Sequence, residues 1–378
     1  MNGSSNNRIL YVRCAPYVLN FDGYNLQEVG LGSAFCRKGY DFDLVYYSKE
    51  NKDQEIQIGN HKLTILWRKG FKLLRTGIYP YLLSKEFLNQ YDIIVVSEYS
   101  QLMSHLIGKR HPNVYLYNGP YYNLFKIPFV EPIYDALFCR KINCEMKKIF
   151  CKTQMAKEFI EQKGLTNAVV TGVGLDVAKF NAEKSVLPET QDLLDKMRGK
   201  RSLLYVGSII PRKNTKLIVK AFVKLKKDTR NDNLQLVLVG KGDSAYIQKC
   251  RDIVPESLRK DVIWCPFIKN AQLQYVYKSA CAFLLPSVQE IFGMVLLEAM
   301  YFGLPVVSSH SAGAGTLIQN NRNGLIVEQF SADEWTAAIQ KLLEDREFAQ
   351  NLGNEAKKTI IKDFMWDSIA DKMLEYVK

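Results

Sequence analysis

The sequence predicts an α/β protein with two doubly wound domains, each a parallel sheet with helices on both faces. Short apolar runs alternate with segments of helical periodicity along most of the chain, which is the pattern of this class. The chain has 378 residues, 47% of them hydrophobic, so two domains with separate cores are the natural division. A polar stretch at 181–200 lies between the two series of elements and is expected to hold the junction.

The first domain is predicted to cover residues 1–195. Apolar runs rich in β-branched and aromatic residues predict strands at 9–12, 43–47, 92–96, 114–117, 148–151 and 168–171. Between the second and third strands, residues 56–65 alternate on both sides of Gly59 and Asn60, which predicts a hairpin.

The second domain is predicted to cover residues 196–362, with strands at 202–206, 234–239, 262–267, 282–285, 305–309 and 325–327. A helix-patterned segment follows each strand. In the first of these helices, Leu217, Ile218 and Phe222 recur at helical spacing and form a core face. The lysines among them, Lys216, Lys220, Lys224 and Lys226, fall largely outside that face and are expected to be solvated.

The most informative segment is 289–300, where a loop leads from a strand into a helix. Gly293 opens a run of helix formers, and Gly303 and Pro305 end it. Glu290 therefore lies in the loop and Glu298 in the helix. The first turn would present free backbone N–H groups, a natural binding site for a phosphate, from Phe292, Gly293, Met294 and Val295. Taken alone, the two glutamates are better explained as surface charges on a buried helix.

Glu290 and Glu298, with seven residues between them, resemble the E-x7-E signature of family 4 retaining glycosyltransferases, which have the GT-B fold and use nucleotide-sugar donors. Residues 205–214 resemble the strand, glycine loop and lysine that open the second domain of that family. Residues 236–243 resemble its next strand and nucleotide-facing glycine loop, and residues 171–180 resemble the segment that ends its first domain. The resemblance implies two Rossmann-like domains facing each other across a cleft, with the last helix, about 363–378, packing back on the first domain.

The resemblance also implies roles for individual residues. Lys213 would touch the donor diphosphate, Glu298 the ribose hydroxyls and Glu290 the transferred sugar. The catalytic residues are then expected to be Glu290, Lys213 and Asn118. The donor-binding residues are expected to be Gly207, Ser208, Arg212, Lys213, Lys241, Gly242, Ile268, Phe292, Gly293, Met294, Val295 and Glu298. The alternative for Arg212 and Lys213 is that they are ordinary exposed charges at the start of a helix.

Two positions depart from the family pattern. Ser208 stands where the family has arginine, and we expect neighbouring Arg212 to supply the missing charge. Asn118 stands where relatives have a histidine that contacts the donor sugar; asparagine keeps the hydrogen bonds but carries no charge. His105 is an alternative, although a lone histidine in an apolar helix is more often structural. Gly23 and Tyr24 occupy the place of a glycine loop that borders the cleft.

The formal net charge of +12 requires a partner or a surface role. Residues 62–85 contain six basic and several aromatic residues but no acid, which suits an anionic membrane surface. A plain basic surface explains the segment equally well. Charge alone also allows nucleic-acid binding, but no nucleic-acid motif accompanies it, so no nucleic-acid partner is expected.

The sequence hypothesis is a retaining glycosyltransferase that moves a sugar from a nucleotide-diphosphate sugar, with UDP-sugar favoured, to a glycan or lipid-linked acceptor in polysaccharide or cell-envelope biosynthesis. We expect front-face retention, no cofactor beyond the co-substrate and no essential metal. The eight cysteines form no C-x-x-C pair and the start of the chain is polar, so we expect reduced thiols and a cytoplasmic protein, peripheral on the inner face of the membrane. The alternatives are a nucleotide-sugar epimerase on the same fold and a non-catalytic basic membrane- or nucleic-acid-binding protein.

Overall fold

In the computed structural model the chain forms two compact units, Met1–Gly174 with Phe364–Lys378, and Leu175–Asp363. The structure describes residues 7–18, 26–73, 75–125, 127–181 and 185–377. The division lies at 174, about twenty residues before the predicted boundary at 195. The reason is that the intervening residues pack on the second unit: the ring of Phe180 lies 5.0 Å edge-on from that of Phe302, and Gln274 donates a hydrogen bond to the Phe180 carbonyl.

The first unit is a mostly parallel sheet between helices. Its described strands are β1 (Arg8–Val12), β2 (Asp41–Ser48), β3 (Lys52–Ile58), β4 (His61–Lys69), β5 (Phe71–Leu73), β6 (Thr76–Ile78), β7 (Ile93–Ser97), β8 (Val114–Asn118), β9 (Lys148–Cys151) and β10 (Ala168–Val170). Its described helices are α1 (Gln27–Arg37), α2 (Lys85–Leu88), α3 (Leu102–Gly108), α4 (Val130–Glu145) and α5 (Gln154–Glu161), together with the last helix of the chain.

The strand order of this sheet is β10-β9-β8-β7-β1-β2-β4-β3. Only β3 is antiparallel within the described part of it, because β3 and β4 form the predicted hairpin around Gly59 and Asn60. The six strands predicted for this domain are all confirmed. The sequence did not predict β5 and β6, which pair with each other as a separate ribbon.

The second unit is wholly parallel in its described strands: β11 (Arg201–Val206), β12 (Leu234–Val239), β13 (Val262–Cys265), β14 (Ala282–Leu285), β15 (Val306–Ser309) and β16 (Leu325–Val327), in the order β13-β12-β11-β14-β15-β16. The remaining helices are α6 (Ala178–Asn181), α7 (Pro188–Met197), α8 (Thr215–Leu225), α9 (Ser244–Arg251), α10 (Leu273–Ser279), α11 (Met294–Tyr301), α12 (Ala312–Leu317), α13 (Ala332–Glu344), α14 (Arg346–Asp363) and α15 (Trp366–Leu374). The six predicted strands are confirmed, although β13 ends two residues early.

Both faces of these sheets are buried, which explains why the strands read as continuous apolar runs. Every residue of β12 is buried, and α8 buries its predicted apolar face, including Leu217, Ile218 and Phe222. One of the α8 lysines differs from the prediction. The side chain of Lys226 is only 4% exposed because its ammonium pairs with Asp261 at 3.1 Å and donates to the carbonyl groups of a neighbouring turn.

The helix α15 belongs to the first unit and packs on α1. Trp366 is buried against two glycines: a Cβ atom on Gly30 would lie 2.2 Å from the indole nitrogen, and one on Gly174 would lie 2.4 Å from the ring. Ion pairs from α15 to the region of Arg37 and Lys38 flank this contact. The two glycines therefore leave room for the indole.

Replacing Trp366 with alanine is expected to lower the free energy of unfolding by about 3–5 kcal/mol, because the deleted ring leaves a cavity at Gly30 and Gly174. Denaturant titration followed by circular dichroism measures the change. Ile361→Ala is the control, since this side chain is 49% exposed and its loss is expected to cost less than about 0.5 kcal/mol. Equal losses in the two variants would contradict the packing described.

Candidate active site

The loop between β14 and α11 has the geometry that the sequence indicated. It carries Glu290 and ends at Gly293, whose φ of 80° lies in the left-handed region that favours glycine. Helix α11 begins at Met294, and the N–H groups of Leu296 and Leu297 bond to the Gly293 carbonyl. The N–H groups of Met294 and Val295 lie in the first turn, where the helix itself provides no acceptor. A helix N-terminus with N–H groups available to an acceptor therefore follows the Glu290 loop.

Phe292 has a packing role as well as its predicted position beside the helix terminus. Its side chain is only 3% exposed, and a Cβ atom on Gly313 of α12 would lie 1.6 Å from the Phe292 carbonyl oxygen. The contact between these two backbones fixes the turn that precedes α11.

Lys213 and Glu290 are brought together from positions 77 apart in the chain. Lys213 ends a short 3-10 turn, Pro211–Lys213, and Asn214 follows it in the left-handed conformation before α8 begins. The Lys213 ammonium donates a hydrogen bond to Oε2 of Glu290, and the two side chains are 14% and 13% exposed. The interpretation of Lys213 as a freely solvated surface charge is therefore wrong.

Glu298 is fully buried, and its carboxylate already has two partners. The Lys179 ammonium lies 2.6 Å from Oε1, and the Tyr277 hydroxyl donates to Oε2 at 3.0 Å. Burial, with the adjacent Glu298 charge, raises the pKa of Tyr277 well above its ordinary value, so the phenol stays protonated and remains a donor. Sequence reasoning missed Lys179 and Tyr277, because each lies far from Glu298 in the chain.

The loops after β11 and β12 lie against each other through their glycines. A Cβ atom on Gly240 would lie 1.9 Å from the Gly207 carbonyl oxygen, and one on Gly242 would lie 1.9 Å from the Ile209 carbonyl oxygen. Ile209 N–H donates to the Lys241 carbonyl at 2.9 Å. The predicted pair of glycine loops is thus a single backbone surface at the carboxyl edge of the second sheet, where ligands of open parallel sheets bind.

Other predicted donor-binding residues have local partners of their own. Arg212 donates to the Gln289 carbonyl at 2.5 Å, and the Arg212 carbonyl accepts from Val288 N–H. Both bonds connect Arg212 to the loop that carries Glu290. The Arg212 side chain is therefore engaged with this loop and is not a free replacement for the family arginine. Ser208 is exposed, and its carbonyl accepts a hydrogen bond from Tyr205. In the loop after β13 Phe267 is 61% exposed, whereas the predicted Ile268 is 5% exposed. The Lys241 ammonium lies 5.4 Å from the centre of the Phe267 ring.

The structure does not support a direct sugar contact by Asn118. Its side chain is fully buried at the end of β8, where the amide oxygen accepts from Tyr99 N–H at 3.4 Å and the amide nitrogen donates to the Pro120 carbonyl at 3.1 Å. A buried amide needs partners, and the backbone of its own unit supplies them here. His105 pairs with Glu145 at 2.7 Å and lies against Phe138, in agreement with a structural role.

A charged cluster that the sequence did not indicate lies at the carboxyl edge of the first sheet. Arg13, Glu98 and Lys152 directly follow strands β1, β7 and β9, respectively. In the sheet β7 lies next to β1, and β8 lies between β7 and β9. Glu98 has a φ of 61°, a conformation that residues other than glycine rarely adopt away from functional sites. Arg13 pairs with Glu28, and Arg75 with Glu98, each at 3.5 Å.

Donor groups remain unused in this cluster. The Nη1 atoms of Arg13 and Arg75 are buried and have no hydrogen-bond acceptor among the residues that the structure describes. The Lys152 ammonium donates to Gln27 at 2.8 Å, and burial lowers the pKa of this lysine. Buried donors without acceptors are uncommon in proteins and mark a place where a ligand would be stabilised.

Three further expectations concern absences. In the described part of the chain, no group of three or more His, Cys, Asp or Glu side chains could hold a metal ion. The chain does contain an Asp-x-Asp pair, Asp41 and Asp43, but Asp43 bonds to Arg8 and Tyr91. The eight cysteines are all unpaired thiols. No helix within the described ranges combines the length and apolarity needed to cross a bilayer.

Gly23 and Tyr24, which were predicted to border the cleft, lie outside the described residues.

Comparison with known proteins gives a family match for the second domain. Residues 189–359 match the family model described as glycosyl transferases group 1. This segment is similar to the group 1 glycosyl transferases. It contains Lys213, Glu290, Glu298 and the glycine loops, whereas Asn118, Gly23 and Tyr24 lie outside it. Lys179, which pairs with Glu298, precedes it.

The chain is also similar to individual proteins. It is 31% identical over 180 residues to an uncharacterized glycosyltransferase of Methanocaldococcus jannaschii, covering 47% of this chain and 45% of the relative. It is 27% identical over 300 residues to the lipopolysaccharide 1,2-N-acetylglucosaminetransferase of Salmonella typhimurium, covering 76% and 73%. Over most of the curated relatives that it matches, the chain spans about half of the relative's length.

The fold is shown by solved structures. Anabaena HepE, crystallised in complex with UDP, superposes with a TM-score of 0.72 at 16% identity, covering 97% of this chain and 98% of that chain. At this identity the likeness establishes the fold alone. The chain has the GT-B fold, with two Rossmann-like α/β domains, as the sequence predicted.

Replacing Gly293 with alanine is expected to cost about 1–2 kcal/mol, because a left-handed φ strains any residue with a Cβ atom. Gly293→Asn is the matched variant and is expected to lose less, since asparagine tolerates this conformation better. Thermal unfolding of the two variants beside the unmodified protein measures the difference. An equal loss would contradict backbone strain as the cause and show that crowding of the new Cβ atom against Glu290, 3.3 Å away, dominates.

Proposed function

We propose that this protein is a family 4 retaining glycosyltransferase that transfers a sugar from a nucleotide-diphosphate sugar, with UDP-sugar favoured, to a glycan or lipid-linked acceptor. One observation carries the proposal: the Lys213–Glu290 pair lies beside a helix terminus and two glycine loops, within the segment similar to the group 1 glycosyl transferases. The names of the matched relatives and the UDP bound to HepE support the donor class.

The Lys213–Glu290 pair suits a donor diphosphate because it can exchange partners. A diphosphate carries more negative charge than a single carboxylate, so it competes well for the Lys213 ammonium. The first turn of α11 adds N–H groups and the positive end of the helix dipole. When Lys213 turns to the diphosphate, the Glu290 carboxylate is released to accept hydrogen bonds from the sugar hydroxyls. Donor binding would thus prepare the group that orients the sugar.

Glu298 is proposed to bind the ribose. An ionised carboxylate accepts up to about four hydrogen bonds, and Lys179 and Tyr277 supply one each. The ribose hydroxyls are neutral donors and do not compensate the carboxylate charge, so Lys179 keeps that role while the ribose is bound. Because Glu298 is fully buried, the Lys179 side chain, which is 27% exposed, has to shift to give the ribose access.

The proposed chemistry is front-face substitution. The bond between the anomeric carbon and the diphosphate oxygen breaks, the acceptor hydroxyl bonds to the same face of that carbon, and its proton passes to the departing phosphate oxygen. Lys213 and the first turn of α11 stabilise the charge that grows on the leaving group. Glu290 stabilises the positive character of the sugar ring. No covalent nucleophile is required.

The first domain is proposed to bind the acceptor, through Arg13, Arg75 and Lys152. The unused guanidinium donors of this cluster favour an acceptor with an anionic group or several hydroxyls. This fits a glycan or a lipid-linked phosphate at the cytoplasmic face of the membrane, in polysaccharide or cell-envelope biosynthesis. No resident cofactor or essential metal is part of the proposal.

A screen of UDP, GDP, ADP and CMP by thermal shift is expected to give stabilisation by one nucleotide, UDP by preference, of about 2.7 kcal/mol at 100 times its dissociation constant. Lys213→Met should weaken the binding of that nucleoside diphosphate by about 10–100-fold, because a hydrogen bond between charged groups is lost. The corresponding nucleoside monophosphate is the matched control ligand, and its affinity should fall less in this variant. Equal losses for both ligands would remove Lys213 from the diphosphate site, and no shift with any nucleotide would overturn the proposed function.

Glu290→Gln is expected to lower kcat by about 10²-fold, since a preorganised charge beside the reacting carbon is lost. Donor affinity should change little. Glu334→Gln, an exposed position on α13, serves as the control. Product analysis by NMR should show a glycoside with the anomeric configuration of the donor. An inverted product would contradict retention, whereas an isomerised sugar released without acceptor would identify an epimerase.

A further inference from the structure

Helix α4 of the first unit carries an exposed apolar stripe. Phe129 directly precedes the helix and is 66% exposed, Ile133 is 56% exposed and Leu137 is 54% exposed. The spacing of four places these residues on one side of the helix. Ile127, 50% exposed, extends the stripe beyond the start of the helix. We call Ile127, Phe129, Ile133 and Leu137 the α4 stripe.

The α4 stripe is distinct from the side of the helix that packs in the core. Helix α4 has a separate buried side, which contains Tyr134, Cys139 and Ile142. Between the stripe residues, Pro132 and Ala136 are exposed and apolar as well. The helix therefore has two apolar sides, and only one of them packs on the described part of the domain.

The acidic residues of α4 are engaged elsewhere. Glu131 and Asp135 both pair with Lys163, and Glu145 pairs with His105 at 2.7 Å. These contacts hold the three carboxylates against other side chains of the first unit. The described α4 surface consequently presents apolar side chains without an unpaired carboxylate among them.

The stripe continues into a basic surface at the end of the helix. Arg140 and Lys141 are exposed on the next turn. Beyond them, the last residues of α4 border an open pocket of about 450 Å³ whose basic lining includes Lys109, Arg110 and Lys147. We call these five residues the basic end of α4. An apolar stripe joined to a basic end has the chemistry of an interfacial helix.

We propose that the α4 face docks this protein on an anionic membrane surface. The stripe enters the boundary between headgroups and acyl chains, and the basic end contacts anionic headgroups, which attract basic residues close to the membrane surface. Charge complementarity favours an anionic membrane over a neutral protein partner, since Arg140 and Lys141 are exposed beside the stripe and the pocket has three basic residues against one acid, Glu145, which pairs with His105. The proposal does not depend on the transferase activity.

This surface differs from the membrane segment predicted at 62–85. In the structure Lys62 pairs with Glu55 and Arg68 with Asp53, both from the adjacent strand of the hairpin. Tyr79 is fully buried. Two of the six basic residues in that segment are therefore paired with a neighbouring strand.

Co-sedimentation with vesicles tests the proposal. The full chain is expected to bind vesicles of phosphatidylglycerol and phosphatidylcholine, and to bind pure phosphatidylcholine at least tenfold more weakly. Raising the salt concentration from about 0.1 M to about 1 M should weaken the anionic binding, because the Debye length falls from about 10 Å to about 3 Å. Absence of binding to the anionic vesicles would overturn the proposal.

Variants separate the α4 face from other surfaces. The triple variant F129S/I133S/L137S should lose at least tenfold in vesicle affinity, and R140Q/K141Q should reduce the preference for anionic lipid. The matched control is F330S/I361S, which removes two apolar side chains of the second unit that are 48% and 49% exposed. The control should bind as the unmodified protein does. An equal loss in the control would overturn the assignment to α4.

Two further measurements, the unfolding temperature and the sedimentation velocity, control for loss of folding and for dimerisation. Because the substituted side chains are exposed, the triple variant should unfold at nearly the same temperature as the unmodified protein; if it does not, Ile133→Ser alone replaces it. Sedimentation velocity without vesicles distinguishes the other occupant. If the unmodified protein is a dimer that the triple variant converts to a monomer, the α4 stripe is an interface between copies and the membrane proposal is wrong.

Discussion

The burial of both faces of the parallel sheets is the constraint on which the rest of the structure depends. Strands such as β12 are buried along their whole length, so polar groups are accommodated mainly where the strands end. All described strands of the second sheet run in the same direction, and their carboxyl ends share one edge. The glycine loops, the Lys213 turn and the Glu290 loop all leave the sheet there. The candidate site is thus a consequence of parallel topology.

Charge within that site is arranged as two lysine–glutamate pairs with different surroundings. Lys213 and Glu290 are each slightly exposed, so a ligand reaches them by exchanging partners. Glu298 is fully buried, and an unpaired carboxylate there would be costly, which explains why both Lys179 and Tyr277 bind it. Electroneutrality before ligand binding is the feature the two pairs share. The proposed mechanism uses the exchange of the first pair and the persistence of the second.

The net charge of +12 is distributed in a way that the sequence alone did not reveal. Lys62 and Arg68 in the β3–β4 hairpin have acidic partners across the strands, and Lys226 is buried against Asp261. The basic end of α4 is different, because it adjoins an exposed apolar stripe. What distinguishes a functional basic surface here is its neighbourhood, since a lysine paired across a hairpin contributes little to attraction at a distance.

The sequence by itself determined the class of the fold, the twelve strands that it predicted, and the hairpin at Gly59 and Asn60, and it indicated Lys213, Glu290 and Glu298 as candidate site residues. These features follow from local periodicity, glycine positions and short motifs, all of which are contiguous in the chain. Tertiary structure alone decided that Asn118 is buried in backbone hydrogen bonds, that Lys179 and Tyr277 serve Glu298, and that Arg13 and Arg75 keep unused donors. It also decided which side of α4 stays exposed. Hydrogen-bond partners and side-chain exposure depend on contacts between residues far apart in sequence, and local periodicity does not predict such contacts.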